Sequence, residues 1–104
     1  MHMFGGGWIE KTKITGAWSE TEAQMFLDDT IVPLWLAVNR SDGFPLVLSL
    51  WFVRAEWNLL CATREPSRVV HFLEQNPKCG FEVASDDLPY CSVRGKGTVL
   101  LLRE

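Results

Sequence analysis

The sequence predicts a mainly β protein of the α+β class: a small antiparallel β-barrel with short flanking helices. Three observations carry this. Apolar runs at 31–38, 46–53 and 58–63 are separated by "NRSDG" and "RAEW". Turns this short join antiparallel neighbours, because a parallel crossover needs about a dozen residues or more. Two further runs, 78–85 and 90–102, are joined by "DDLP" and read as a second antiparallel pair. Helical spacing occurs in only two places, one before the first run and one between the third and fourth. Strands joined mostly by short turns, with helices at the ends, make a barrel.

The first helix falls near 20–28. Ser19 and Glu22 form a Ser-x-x-Glu capping box, and Ala23, Phe26 and Leu27 follow on one face. Its expected place is over one end of a sheet. In the second strand, Leu46, Leu48, Leu50 and Phe52 point one way and Val47, Ser49, Trp51 and Val53 the other. A strand apolar on both faces is covered on both. In a chain this small, a partner subunit or a cofactor is the expected second cover. The second helix begins at Pro66 or its neighbours, within "TREPSR", and is ended by Pro77. In the last strand, Cys91, Val93 and Gly95 share one face, and Ser92, Arg94, Lys96 and Thr98 the other. Gly95 and Gly97 there suggest a bulge or a close backbone approach.

One domain, residues 1–104, is all this length supports. Residues 1–18 read as an N-terminal extension, and "MHMFGGG" is set aside from the fold. A barrel of five strands often needs another to close, and the expectation is of a chain that stops early at its C-terminus. Hydrophobic residues make up 47% and aromatics 12% of the chain, an ordered globular composition. Five tryptophans are many for this length, and such residues fill cores, subunit interfaces or cofactor pockets.

Several functions are disfavoured. A net charge of −3 without a basic, aromatic-laced stripe gives no basis for nucleic-acid binding. No apolar run approaches the ~20 residues of a spanning helix, and the N-terminus lacks the pattern of a secretory signal. Cys61, Cys79 and Cys91 are odd in number and outside any CxxC, which points to reduced thiols in a cytoplasmic protein. No Cys/His spacing suggests a metal. No acid–base pair or nucleophile triad stands out.

The constellation with chemical promise is "TREPSR". Two arginines and two hydroxyls gather where a helix begins, and a helix N-terminus offers free N–H groups and a favourable dipole to an anion. Arg64 and Arg68 can each bind phosphate oxygens bidentately. Taken alone, the blander reading is stronger: Thr63 or Ser67 caps a helix that begins at Pro66 or its neighbours, and the arginines are solvated. The preceding strands add weight to the anion. "FPLVLSLWF" leads up and "NLLCAT" returns beside it, so an aromatic ligand could lie along them with its phosphate at "TREPSR".

These residues carry a resemblance. From about position 30 to 100 the chain resembles the pyridoxamine 5′-phosphate oxidase-like, FMN-binding split-barrel family. The Pro-led strand ending in an aromatic pair, the Thr…Ser-Arg pair entering a helix that ends "NP", and the closing "VRGKG" strand carry the match. The resemblance implies a split barrel that binds FMN along Leu46, Val47, Leu48, Ser49, Leu50 and Trp51. Ala62, Thr63 and Arg68 would reach the phosphate, with Arg64 and Ser67 beside them and a contact from a facing strand near Tyr90. It implies a homodimer with the cofactor between subunits, and a flavin-dependent oxidoreductase activity. Two departures stand out. Val69 occupies a place where oxidases proper often have lysine, and the C-terminal part that recognises pyridoxamine phosphate has no counterpart, so that oxidase activity is not expected. Relatives that use the deazaflavin F420 or haem, and non-catalytic flavin binding for storage or sensing, are the alternatives.

Overall fold

The computed structural model describes residues 2–6, 18–56, 58–63, 68–88 and 90–103. Along the chain run β1 (His2–Gly6), α1 (Glu20–Asp29), β2 (Leu34–Asn39), β3 (Pro45–Leu50), β4 (Phe52–Ala55), β5 (Asn58–Thr63), α2 (Arg68–Gln75), β6 (Lys78–Ala84), β7 (Ser92–Thr98) and β8 (Leu100–Arg103). The protein is mainly β, with two helices, as expected. All strand pairings are antiparallel.

The strands form two four-stranded sheets, in the orders β4-β5-β1-β8 and β3-β2-β6-β7. They do not close into one hydrogen-bonded ring. Two of the expected long strands each divide between the sheets. The second breaks at Trp51 into β3 and β4, and the last breaks at Val99 into β7 and β8. Gly95 and Gly97 stay within β7, so they do not mark the break. At Val99 the N–H donates to the Pro77 carbonyl (2.8 Å), just beyond the Lys78–Thr98 pair, and the side chain is buried. The chain then passes to the other sheet.

Setting the N-terminus aside from the fold is corrected. β1 lies between β5 and β8, with Phe4 opposite Cys61 on one side and Leu101 on the other. Extended backbone with an open neighbour on both sides joins the sheet whatever its modest strand propensity, because the gain comes from pairing. The strand the barrel lacked is therefore supplied by residues 2–6.

One core fills the space between the sheets. Leu34, Leu36 and Val38 of β2, Leu59 and Cys61 of β5, and Phe81 and Val83 of β6 point inward at alternate positions. α2 adds Val69, Val70 and Leu73. It touches both β2 and β8, one strand from each sheet, and so plugs the gap between them. α1 starts with the expected capping box: Ser19 Oγ accepts from the Glu22 N–H, and Glu22 Oε1 accepts from the Ser19 N–H, both at 3.2 Å. It is tied to β4 by Arg54, whose Nε and Nη2 donate to the two Asp28 carboxylate oxygens at 2.7 and 2.8 Å. That hydrogen-bonded guanidinium holds the Asp28 carboxyl below its ordinary range.

The turn between β2 and β3 is specified locally. Gly43 takes a φ of +86°, its N–H donates to the Arg40 carbonyl, and Asp42 Oδ1 accepts from the Phe44 N–H. Glycine adopts that backbone without the Cβ clash other residues would meet.

Removing residues 1–6 would leave β5 and β8 without their shared neighbour. The thermal midpoint is expected to fall by ~10 °C or more, since each kcal/mol lost moves a domain of this size by ~4–8 °C. An unchanged cooperative melt would show that β1 is not part of the stable fold.

Candidate functional site

β3 is the element on which the site is built. It pairs with β2 on one side, Leu34 opposite Leu50 through to Asn39 opposite Pro45, and among the described residues has no strand ladder along its other edge. Leu46, Leu48 and Leu50 turn inward and pack against the core. Val47 is 57% exposed and Ser49 is exposed; beyond the strand end, Trp51 is 68% exposed. The alternation is therefore regular. The second apolar face turns out from this chain, the face for which a partner subunit or a cofactor was the expected cover.

Alternate positions of the neighbouring strands share that outward face. Pairing sets Ala37 beside Val47 and Gly80, and Trp35 beside Ser49 and Glu82, with Arg94 next to Glu82. Trp35 is 49% exposed. Together Trp35, Ala37, Val47, Gly80, Glu82 and Arg94 line an open groove of about 440 Å³. Its floor is low because Ala37 and Gly80 carry almost no side chain. A Cβ added at Gly80 would meet only the Gly95 carbonyl, at 3.7 Å, so the fold itself does not demand glycine there. The sequence reading missed this groove. Its only signal was the shared parity of residues 35 and 37, 80 and 82, and 94, on strands whose pairing had yet to be known.

At the other end of β3 the chain crosses into β4, where Phe52 sits opposite Cys61. Continuing that register by one place puts Ala62 beside Trp51, and by two puts Thr63 beside Leu50. β3 and β5 are indeed in contact. Ala62 is exposed and Thr63 half-buried. So β3, Trp51, Ala62 and Thr63 come together. Arg64 and Ser67, with the proposed cap and Pro66, lie outside the described residues.

Arg68 opens α2 and is exposed. Its guanidinium carbon lies 5.9 Å from the centre of the Phe72 ring, one turn along the helix. Val69, the residue in place of lysine, is buried in the core, so its direction as well as its chemistry excludes a phosphate contact. Tyr90 stands apart. It precedes β7, is 73% exposed, and lies on the edge of its sheet opposite β3. Three strand spacings of ~4.8 Å separate those edges. One chain does not bring Tyr90 to Trp51.

The cysteines are structural. Cys61 and Cys79 are buried free thiols, and Cys91 is a half-buried one. Burial pushes the Cys61 thiol up to about 12, with the neighbouring Cys79 adding to the effect, and burial raises Cys79 as well. Neither is a nucleophile at neutral pH. His71 is exposed on α2 beside Phe72. Among the described residues no three His, Cys, Asp or Glu side chains converge as a metal would need. No helix among them is long and apolar enough to cross a membrane. Comparison of the chain with protein-family models, curated proteins and solved structures finds no match in any of the three.

Because the folded Cys61 pKa lies above its ordinary value of 9.0, the thiol's contribution to stability is complete below that pH. It is lost progressively as pH rises from there towards about 12. At pH 8, Cys61 and Cys79 are expected to resist a water-soluble disulfide reagent until the protein is unfolded. Rapid labelling of both in folded protein would show that they are not enclosed.

Proposed function

We propose that this chain is an FMN-binding protein of the pyridoxamine 5′-phosphate oxidase-like split-barrel type. In this reading it works in the cytoplasm as a flavin-dependent oxidoreductase other than pyridoxamine phosphate oxidase. It is a homodimer with the cofactor between subunits. The observation that carries the proposal is β3. It offers an outward apolar face and an edge with no strand ladder, and its end adjoins Ala62 and Thr63.

Those features suit the parts of the cofactor. The edge backbone of β3 supplies N–H and C=O groups able to meet a flavin's polar rim. The low floor at Ala37 and Gly80, beside Val47 and Trp35, gives a flat ring an apolar surface. Thr63 supplies a hydroxyl and Arg68 a charge for the phosphate, and Arg68 makes no ion pair among the described residues. When bound, the flavin supplies the redox chemistry. The chain's own residues hold and orient it and exclude water from one side of the ring. The exposed Trp35, Val47 and Trp51 are the natural ground for a second subunit, because a monomer seldom leaves a contiguous apolar patch uncovered. Cys61, Cys79 and Cys91, none of them disulfide-bonded, suit a reducing cytoplasm.

One observation favours a second reading, a non-catalytic carrier or sensor of flavin, F420 or haem. Of the groove's lining residues only Glu82 and Arg94 ionise, and neither forms an acid–base pair with a third group there. Steady oxidation of NAD(P)H by the flavin-loaded protein separates the two.

The direct test is FMN against riboflavin, which lacks the phosphate. Wild-type protein is expected to bind FMN more tightly, with the absorption of oxidised flavin and quenched tryptophan emission. Arg68→Ala should weaken FMN by roughly 10- to 150-fold, the worth of one charge-assisted contact, and leave riboflavin nearly unchanged. The same change should barely alter the melt, since Arg68 is exposed. A protein that takes up neither flavin refutes the proposal. In sedimentation the folded chain is expected to run as a dimer at micromolar concentration, and a pure monomer would remove the intersubunit site.

A further inference from the structure

Phe72 gathers two cations. Arg68 reaches it along α2, and Arg40, the residue that follows β2, reaches it from the turn into β3. The Arg40 guanidinium carbon is 5.5 Å from the ring centre, and that of Arg68 is 5.9 Å from the same point. The two are therefore no farther apart than those distances together. An aromatic face attracts each guanidinium through its quadrupole but neutralises neither. Like charges brought to one ring repel each other, and within this cluster a single carboxylate answers them: Asp42, whose Oδ2 is 3.1 Å from Arg40 Nη2. Arg68 has no ion-pair partner among the described residues. Arg40 also has an idle donor. Its Nε is shut off from water and has no hydrogen-bond partner among the described residues, a desolvated donor that an acceptor would satisfy. The cluster has more positive charge and more donors than the described residues answer.

We propose that Arg40 is a second phosphate-binding residue, acting with Arg68 across the Phe72 ring on a phosphate monoester dianion. This rests on the reading of Arg68 as a phosphate ligand and extends it to a residue 28 positions earlier in the sequence. The dianion has three non-ester oxygens and can accept from two guanidiniums at once. It offsets the repulsion between them and gives the Arg40 Nε–H an acceptor after one side-chain rotation. Phe72 keeps both cations near the mouth of α2 before the anion arrives. The competing role is structural: Arg40 would only staple the β2–β3 turn to α2.

Affinities for FMN and riboflavin, with thermal midpoints, decide between them. Arg40→Ala is expected to lower FMN affinity about 10-fold or more and leave riboflavin within about 2-fold, with Arg40→Lys intermediate. A staple would shift the midpoint and leave the FMN-to-riboflavin ratio alone. Should Arg40→Ala fold poorly, Asp42→Asn keeps Arg40 and frees it from its ion pair. That variant is expected to tighten FMN about 2- to 5-fold without affecting riboflavin. An unchanged ratio in these variants, while wild type prefers FMN, overturns the role of Arg40 and leaves Arg68 standing. A wild type that binds FMN no better than riboflavin overturns both.

Discussion

Two places where the chain changes sheets organise everything else. At Trp51 the strand begun in β3 continues as β4 in the other sheet, and at Val99 the strand begun in β7 continues as β8. With those crossings the two sheets become a ring of six long strands around one core: β3/β4, β5, β1, β8/β7, β6 and β2. Neither sheet could bury its inner face alone. A four-stranded sheet exposes one apolar side until something covers it, and here each covers the other. Val83, fully buried, marks the middle of that shared interior.

The ring is split because hydrogen bonding cannot follow a strand through such a crossing on both sides. Below Trp51, β3 has lost β5 as a ladder partner, while α2 packs on β2 and β8. α2 fills the gap between the sheets with the side chains of Val69, Val70 and Leu73 rather than with a strand ladder. The edge of β3 that has no ladder among the described residues is thus a by-product of the way the strand passes from one sheet to the other. It leaves polar backbone, an apolar outer face and the start of a helix side by side. That conjunction, more than any single side chain, makes this part of the molecule a candidate for a cofactor with a flat ring and a charged tail.

How much of this could be read from the residues depended on how local the cause was. α1 was legible almost to the residue because its capping box lies within four positions, and the structure adds only Asp29 to the expected end. β5 kept the expected bounds, and α2 ended just before Asn76 and Pro77. β1 was illegible, since two glycines and five residues carry little propensity and its place follows from the open edges of β5 and β8. The break at Trp51 was illegible for a different reason. Inward and outward positions keep alternating through it, so nothing local distinguishes a strand that continues from one that changes sheets. Val47 and Trp51 read as a face that something outside this chain covers, and in the single chain both are exposed. The groove at Ala37 and Gly80 needed the pairing of strands about forty residues apart.

The site and the core also divide by burial, and this shapes how the molecule can vary. Arg68 and Ala62 are exposed, Thr63 is half-buried, and Arg40 packs on Phe72 from outside the core. Few of their contacts hold the sheets together. Leu73 and Val70, on the same helix as Arg68 and Phe72, are buried and do hold them. Truncating Leu73 to alanine would cost ~2–5 kcal/mol, a large part of what a domain of this size has to lose. α2 thus has two faces with separate duties. Its inner face closes the barrel, and its outer face presents guanidinium groups on an aromatic ring. Because the periodicity of the helix keeps those faces apart, the charge at the mouth of α2 can be changed without opening the core. A ligand held there would in turn stabilise the helix that plugs the split, since whatever binds the folded form alone shifts the balance towards it. Any binding at the rim would thus be coupled, through one short helix, to the packing of the two sheets.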